Sequence, residues 1–244
     1  MVTKPLTVLP LLVLLSCGGG GETPVGPVPP VPEDTLFVTV EGGPFVTSWG
    51  DSIDIGTFQI SRFEVTNRLY YWLAMRSGTS LPPDPGFPGV EDYLFGCPDC
   101  PVVNVSAVEA GEAAASIGCR LPTAAEWEYA ASLGLTGNVF RQYPWGSLRP
   151  VDAGFPANFM AGDEWDSRGL DGFTATAPVG SYPLTGPGLA DMAGNVAEWT
   201  LPVLSVCRVE GGSWASPSED LTIGAFRDMH PSDRSWLTGF RLAR

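Results

Sequence analysis

The sequence predicts an α+β domain dominated by loops, and three features of the chain carry that expectation. Strand-like runs open the folded region, at residues 36–40 and 58–61. Two helix-opening patterns follow, at residues 106–109 and 123–126. Thirty Gly and twenty-four Pro are spread over 244 residues, which interrupts regular elements and leaves few of them long. With 44% hydrophobic residues, including eight Trp and twelve Phe, the chain can bury one sizeable core.

Residues 1–17 read as a leader. Lys4 gives a positive start, and residues 6–15 form an apolar stretch too short to span a bilayer. The run Leu14-Leu15-Ser16-Cys17-Gly18 resembles a bacterial lipoprotein signal, which implies cleavage before Cys17 and lipidation of that residue. An ordinary secretory signal with an incidental Cys is the alternative. Gly18, rather than Asp, after Cys17 points to sorting onward to an outer membrane where the cell has one. Such a lipid anchors the protein without a transmembrane span. Residues 18–33 form a tether, Gly-rich and flexible at first, then Pro-rich and extended.

The folded domain is expected over residues 34–244. Residues 36–40 form a strand that ends in a turn at Gly42 and Gly43, and residues 58–61 alternate as a half-buried strand does. A helix follows, capped by Thr66 or Asn67, with Leu69, Trp72 and Leu73 on its apolar face and Gly78 as its C-terminal cap. Residues 79–101 are a Pro-rich loop. Ser106 and Glu109 fit a capping box, in which each side chain satisfies a free backbone N–H; the Ala-rich helix it opens should run to about Ile117 and stop at Gly118. Thr123 and Glu126 repeat the device for a helix through about Ser132, and small Ala faces suit both helices to close packing on a sheet. Residues 143–187 are mostly loop, and so long a loop inside a compact domain needs something to hold it.

Charge and cysteines narrow the setting. The net charge is −14, and Lys4 is the sole lysine, so nucleic acid and anionic lipid headgroups are poor partners for the domain. An oxidising compartment would favour disulfides among Cys97, Cys100, Cys119 and Cys207, with three pairings open. A Cys97–Cys100 bridge leaves Cys119 and Cys207 to pair. Zinc is the alternative, but only Cys97 and Cys100 form a C-x-x-C half-site.

The richest stretch is Asp191-Met192-Ala193-Gly194-Asn195-Val196-Ala197-Glu198-Trp199, two carboxylates around a Gly-Asn turn. Such a turn suits a hard cation that wants carboxylate and carbonyl oxygens. It equally suits a surface turn followed by a buried Trp. Together with Glu64-Val65-Thr66-Asn67, Arg120-Leu121-Pro122-Thr123, Glu126-Trp127-Glu128, Tyr143-Pro144-Trp145-Gly146, Gly211-Gly212-Ser213-Trp214 and Gly239-Phe240-Arg241, in that family's order, the stretch resembles the formylglycine-generating, sulfatase-modifying-factor domain family. The resemblance implies a C-type-lectin-like variant of the α+β class, with small, mostly antiparallel sheets and two main helices. It also implies two structural calcium sites. The first would use Asn158 and Asp171 side chains with Phe159 and Phe173 carbonyls; the second, Asp191 and Glu198 carboxylates with Gly194 and Val196 carbonyls. Asp191 stands where family members often carry Asn.

Catalysis is where the chain departs from the family. The oxidase relatives hold copper with two cysteines shortly after the Gly-Gly-Ser-aromatic motif, and here those positions are Ser216 and Leu221. Neither replaces a soft thiolate, so copper is not expected. A non-haem iron triad needs two histidines, and His230 is the sole one; no G-x-S-x-G elbow supports a serine hydrolase. The expectation is a non-catalytic, exported and lipid-anchored module that binds a protein or glycan partner at the cell envelope, with Trp214, Ser216, Arg227 and Arg234 as the candidate ligand surface. The alternatives are a formylglycine-generating-type oxidoreductase modifying exported proteins such as sulfatases, and a purely structural envelope protein.

Overall fold

A computed structural model describes residues 36–154, 156–160, 171–202 and 205–244. The leader, the tether and Cys17 lie outside them. The first described elements are two strand pairs, one nested inside the other: β1 (Phe37–Val40), β2 (Gly43–Val46), β3 (Ser52–Ile55) and β4 (Phe58–Ser61). β1 pairs antiparallel with β4, and β2 with β3. Gly42 makes the nesting possible, because a Cβ there would lie 2.1 Å from the Ile55 carbonyl oxygen. Four helices follow: α1 (Asn67–Ser77), α2 (Tyr93–Gly96), α3 (Ala107–Ala115) and α4 (Ala124–Ser132). A second sheet closes the fold, built from β5 (Ala197–Trp199), β6 (Cys207–Glu210), β7 (Phe226–Met229) and β8 (Thr238–Gly239) in the order β7-β6-β5-β8. Only the β5–β8 pair in it is parallel.

The helix punctuation follows local chemistry. Thr66 caps α1 by accepting from Leu69 N, and Gly78 ends it in the left-handed conformation at φ 78°. Both capping boxes form, Ser106 with Glu109 and Thr123 with Glu126. α3 stops at Ala115, short of Ile117, because Ile117 N already turns back to the Ala114 carbonyl. α2, a single turn inside the expected 79–101 loop, is too short for any hydrophobic period to announce it.

Two cores result. In one, Ala110, Ala113 and Ala114 of α3 meet Tyr70 and Leu73 of α1, with Trp199, Val209 and Phe240 from the second sheet and the C-terminal segment. In the other, Trp127, Ala130 and Ala131 of α4 pack on Val40, Ile55, Phe58 and Ile60. The last residues join the first strands: Ser61 N donates to Leu242 O at 2.8 Å and Gln59 N to Arg244 O at 2.9 Å. Cys97 and Cys100 are bridged, which removes the zinc half-site. No bridge joins Cys119 to Cys207, although both are buried in the first of these cores.

Glu109 links the α3 cap to a distant segment. It accepts from Ser106 N at 2.9 Å, Ser80 Oγ at 2.8 Å and Arg234 Nε at 2.9 Å. Burial pushes its carboxyl up, but the Arg234 and Ser106 donors outweigh that and hold it at about 2, against 4.5 in the unfolded chain. The resulting stabilisation is present above pH 4.5 and is lost as pH falls toward 2. Glu109→Gln should therefore cost about 1 kcal/mol at neutral pH, the scale of a lost cap, because solvent screens the Arg234 charge. Urea unfolding of both proteins should show that gap closing as the pH drops from 5 to 3.

Candidate functional site

The Gly-Asn turn is the point where the loops converge. Asp191 and Asn195 both adopt positive φ, 54° and 58°, with Gly194 between them at 76°. A Cβ on Gly194 would lie 2.2 Å from the Asn158 carbonyl oxygen, so the turn presses directly on the 156–160 segment. Asn195 N donates to that same carbonyl at 2.8 Å. The Asn195 side chain then does three jobs. Its Nδ2 donates to Glu64 Oε2 at 2.6 Å, and its Oδ1 accepts from Ala177 N at 2.8 Å and Asn158 Nδ2 at 3.2 Å.

Beneath the turn lies a buried ion pair. Arg241 Nε and Nη2 each donate to a Glu198 oxygen at 2.6 Å, and both side chains are at most 1% exposed. Glu198 Oε2 also accepts from Trp127 Nε1 at 2.8 Å, while Arg241 satisfies the Ser61 and Ala190 carbonyls at 3.1 and 2.9 Å. Glu64 sits alongside, its carboxyl raised well above the ordinary range by burial and by the Asp191 and Glu198 charges. Burial likewise pushes Asp191 up to about 6, although its Oδ2 accepts from Gly180 N at 2.6 Å.

The two expected calcium sets differ in how their atoms stand. Asn158 Nδ2 is fixed by the Ala175 carbonyl at 2.8 Å, which leaves the buried Oδ1 with no hydrogen-bond partner among the described residues. Asp171 lies next to it, accepting from Phe159 N at 2.6 Å and Phe173 N at 3.2 Å, and burial raises its carboxyl. An orphaned amide oxygen beside a desolvated carboxylate fits a hard cation. In the second set both Glu198 oxygens are already committed to Arg241 and Trp127, so a cation at Asp191 would compete with an existing countercharge. Among the described residues no group of three or more His, Cys, Asp or Glu side chains is arranged to hold a metal ion.

The Gly-Gly-Ser-Trp segment borders a cavity of about 220 Å³ lined by Ser213, Ser216, Asp220, Arg227, Met229 and Thr238, among others. Ser213 N donates to Ser216 Oγ at 3.0 Å, closing a small turn. Leu221 is fully buried among Tyr143, Ala157, Phe159 and Ala193. Of the four candidate ligand residues, Ser216 and Arg227 line this cavity. Trp214 does not: it is 3% exposed and packs edge-to-face on Phe87 and Trp236. Arg234 is engaged with Glu109. Glu64 and Asn195 carried no assigned role in the sequence reading, though both lie inside its signature runs.

The sulfatase-modifying factor enzyme 1-like domain profile matches residues 26–244. The formylglycine-generating enzyme of Bos taurus is 36% identical over 131 residues, covering 53% of this chain and 33% of its own length. The inactive C-alpha-formylglycine-generating enzyme 2 of Mus musculus is 38% identical over 146 residues, covering 57% and 44%. The matched region thus spans a third to under half the length of these curated relatives. Among solved structures, PvdO from Pseudomonas aeruginosa superposes with a TM-score of 0.68 at 25% identity, over 85% of this chain and 93% of that one.

The ion pair has a measurable signature. Arg241→Met or Glu198→Gln each strands a buried partner and should cost about 3–5 kcal/mol in urea unfolding. The double replacement should cost clearly less than the sum; strict additivity would mean the two side chains act independently.

Proposed function

Because the chain belongs to the sulfatase-modifying-factor family, we propose that it is an exported, lipid-anchored member that binds or assembles rather than oxidises. One observation carries this reading. At the two positions where the oxidase relatives are expected to hold copper, this chain has a serine hydroxyl engaged with Ser213 and a fully buried leucine. Neither supplies sulfur to a soft metal. The nearby thiol is no substitute, since Cys207 is fully buried on β6 and burial pushes it up to about 11, leaving almost no thiolate at neutral pH. A relative named as inactive among the similar proteins is in keeping with this.

The leader pattern ending at Cys17 supports display at a cell envelope, with an outer membrane as the destination and a protein or glycan as partner. The cavity beside Ser216 and Arg227 is the surface offered to that partner, its hydroxyls and guanidinium suited to oxygen-rich groups. Calcium is the structural cofactor in this reading. Asn158, Phe159, Asp171 and Phe173 are the better-prepared set, and Asp191, Gly194, Val196 and Glu198 the second.

Two measurements test the proposal. Full-length protein in detergent, given copper(I), air and a cysteine-containing sulfatase-type peptide, should form no aldehyde by mass spectrometry and retain no stoichiometric copper. Aldehyde formation with bound copper would sink the reading. Separately, chelation should lower the melting temperature and added calcium restore it, with Asp171→Asn removing a large part of the response.

A further inference from the structure

Away from the Asn158 and Asp171 set, four buried oxygens lack partners in one place. Glu210 on β6 is fully buried, and neither of its carboxylate oxygens has a hydrogen-bond partner among the described residues. Glu128 on α4 is also fully buried; its Oε2 accepts from Ser48 N at 3.0 Å, but its Oε1 is unpartnered. Ser48 Oγ, on the loop joining β2 and β3, is the fourth. The helix α4 packs on β6, which brings the two acids near one another, and burial followed by the Glu128 charge pushes the Glu210 carboxyl well up.

The neighbouring cation offsets this only in part: the Arg208 charge lowers both carboxyls, and its own buried Nη1 lacks a hydrogen-bond partner among the described residues. Arg208 lies two residues before Glu210 on the same face of β6, yet it forms no salt bridge among the described residues. Its guanidinium is instead stacked between Trp49 and Phe226, 4.0 and 3.9 Å from their ring centres. Glu198 stands opposite Glu210 across the β5–β6 pair, but Arg241 already neutralises it. A single shared proton would satisfy at most one contact and leave the other oxygens bare. A buried carboxylate without partners costs several kcal/mol by general experience, so something oxygen-seeking belongs there.

We propose that Glu128, Glu210 and Ser48 form a binding site for a hard divalent cation, calcium foremost, where α4, β6 and the β2–β3 loop meet. The ligand set is all oxygen. It spans three separate elements, a spread that calcium's adaptable geometry accepts more readily than magnesium's strict octahedron. Occupancy removes the repulsion between the acids and fastens the loop bearing Trp49 to the core. The Trp49–Arg208–Phe226 stack is thereby held at the rim of the cavity, which Phe226 also lines.

The test is calcium stoichiometry on full-length protein stripped with chelator and dialysed against calcium alone. Glu210→Gln and Glu128→Gln should each bind one equivalent fewer than wild type, whereas Asp171→Asn should keep this equivalent. Without calcium the Gln variants should melt no lower than wild type, because the repulsion is gone; with calcium, wild type should gain more. Should one Gln variant fail to fold, the other decides. Unchanged stoichiometry in a folded Gln variant overturns the proposal, as does a wild-type protein that binds no calcium beyond what Asp171→Asn loses.

Discussion

Arg241 and Glu198 are the contact on which the rest of the structure leans. The guanidinium comes from the C-terminal segment, the carboxylate from β5, and the pair reaches backbone carbonyls of Ser61 at the end of β4 and Ala190 at the edge of the Gly-Asn turn. Four parts of the chain are thus joined at one point by direct hydrogen bonds. Such a pair gains little over a well-packed apolar pair, yet is expensive to break from one side. Its value here is positional: it admits one arrangement of β4, β5 and the turn, since any shift strands a charge.

Around it the negative charge is in excess. Glu64, Asp191 and Glu198 gather around Arg241, and burial, with the neighbouring negative charge, raises the first two carboxyls. A chain carrying −14 overall has gathered acids where water is scarce, both here and at Glu128 and Glu210. Loops that lack regular hydrogen bonding are held by side-chain amides and carboxylates instead, and Asn195 shows the economy of it, with one amide joining the side chains of Asn158 and Glu64 to the Ala177 backbone. The family's fold survives on this polar scaffold even though Ser216 and Leu221 stand at the positions of its expected chemistry.

What the sequence disclosed was whatever is decided locally. Thr66, Ser106 and Thr123 caps need only three or four neighbouring residues, and they formed as read. The signature runs supply the buried polar cluster, since Glu64, Trp127, Asn195, Glu198 and Arg241 all come from them. β5, β6 and β8 were illegible, being two to four residues long and defined by partners far along the chain. The same distance hid the Glu109–Arg234 pair and made Arg234 look available. Trp214 looked like a ligand surface because its tight turn suggests exposure, whereas Phe87 and Trp236 cover it. Cys119 and Cys207 could not be resolved by counting, since pairing depends on where two strand and loop positions point.

The placement of Arg241 also concentrates risk. The ion partner of Glu198, and the Leu242 and Arg244 carbonyls that receive β4, all lie within residues 241–244. Clipping those four residues would remove the countercharge of Glu198 and the acceptors of β4 in one step. Arg241 and Leu242 are fully buried in the folded domain, so a protease has no purchase on them until β4 has already let go.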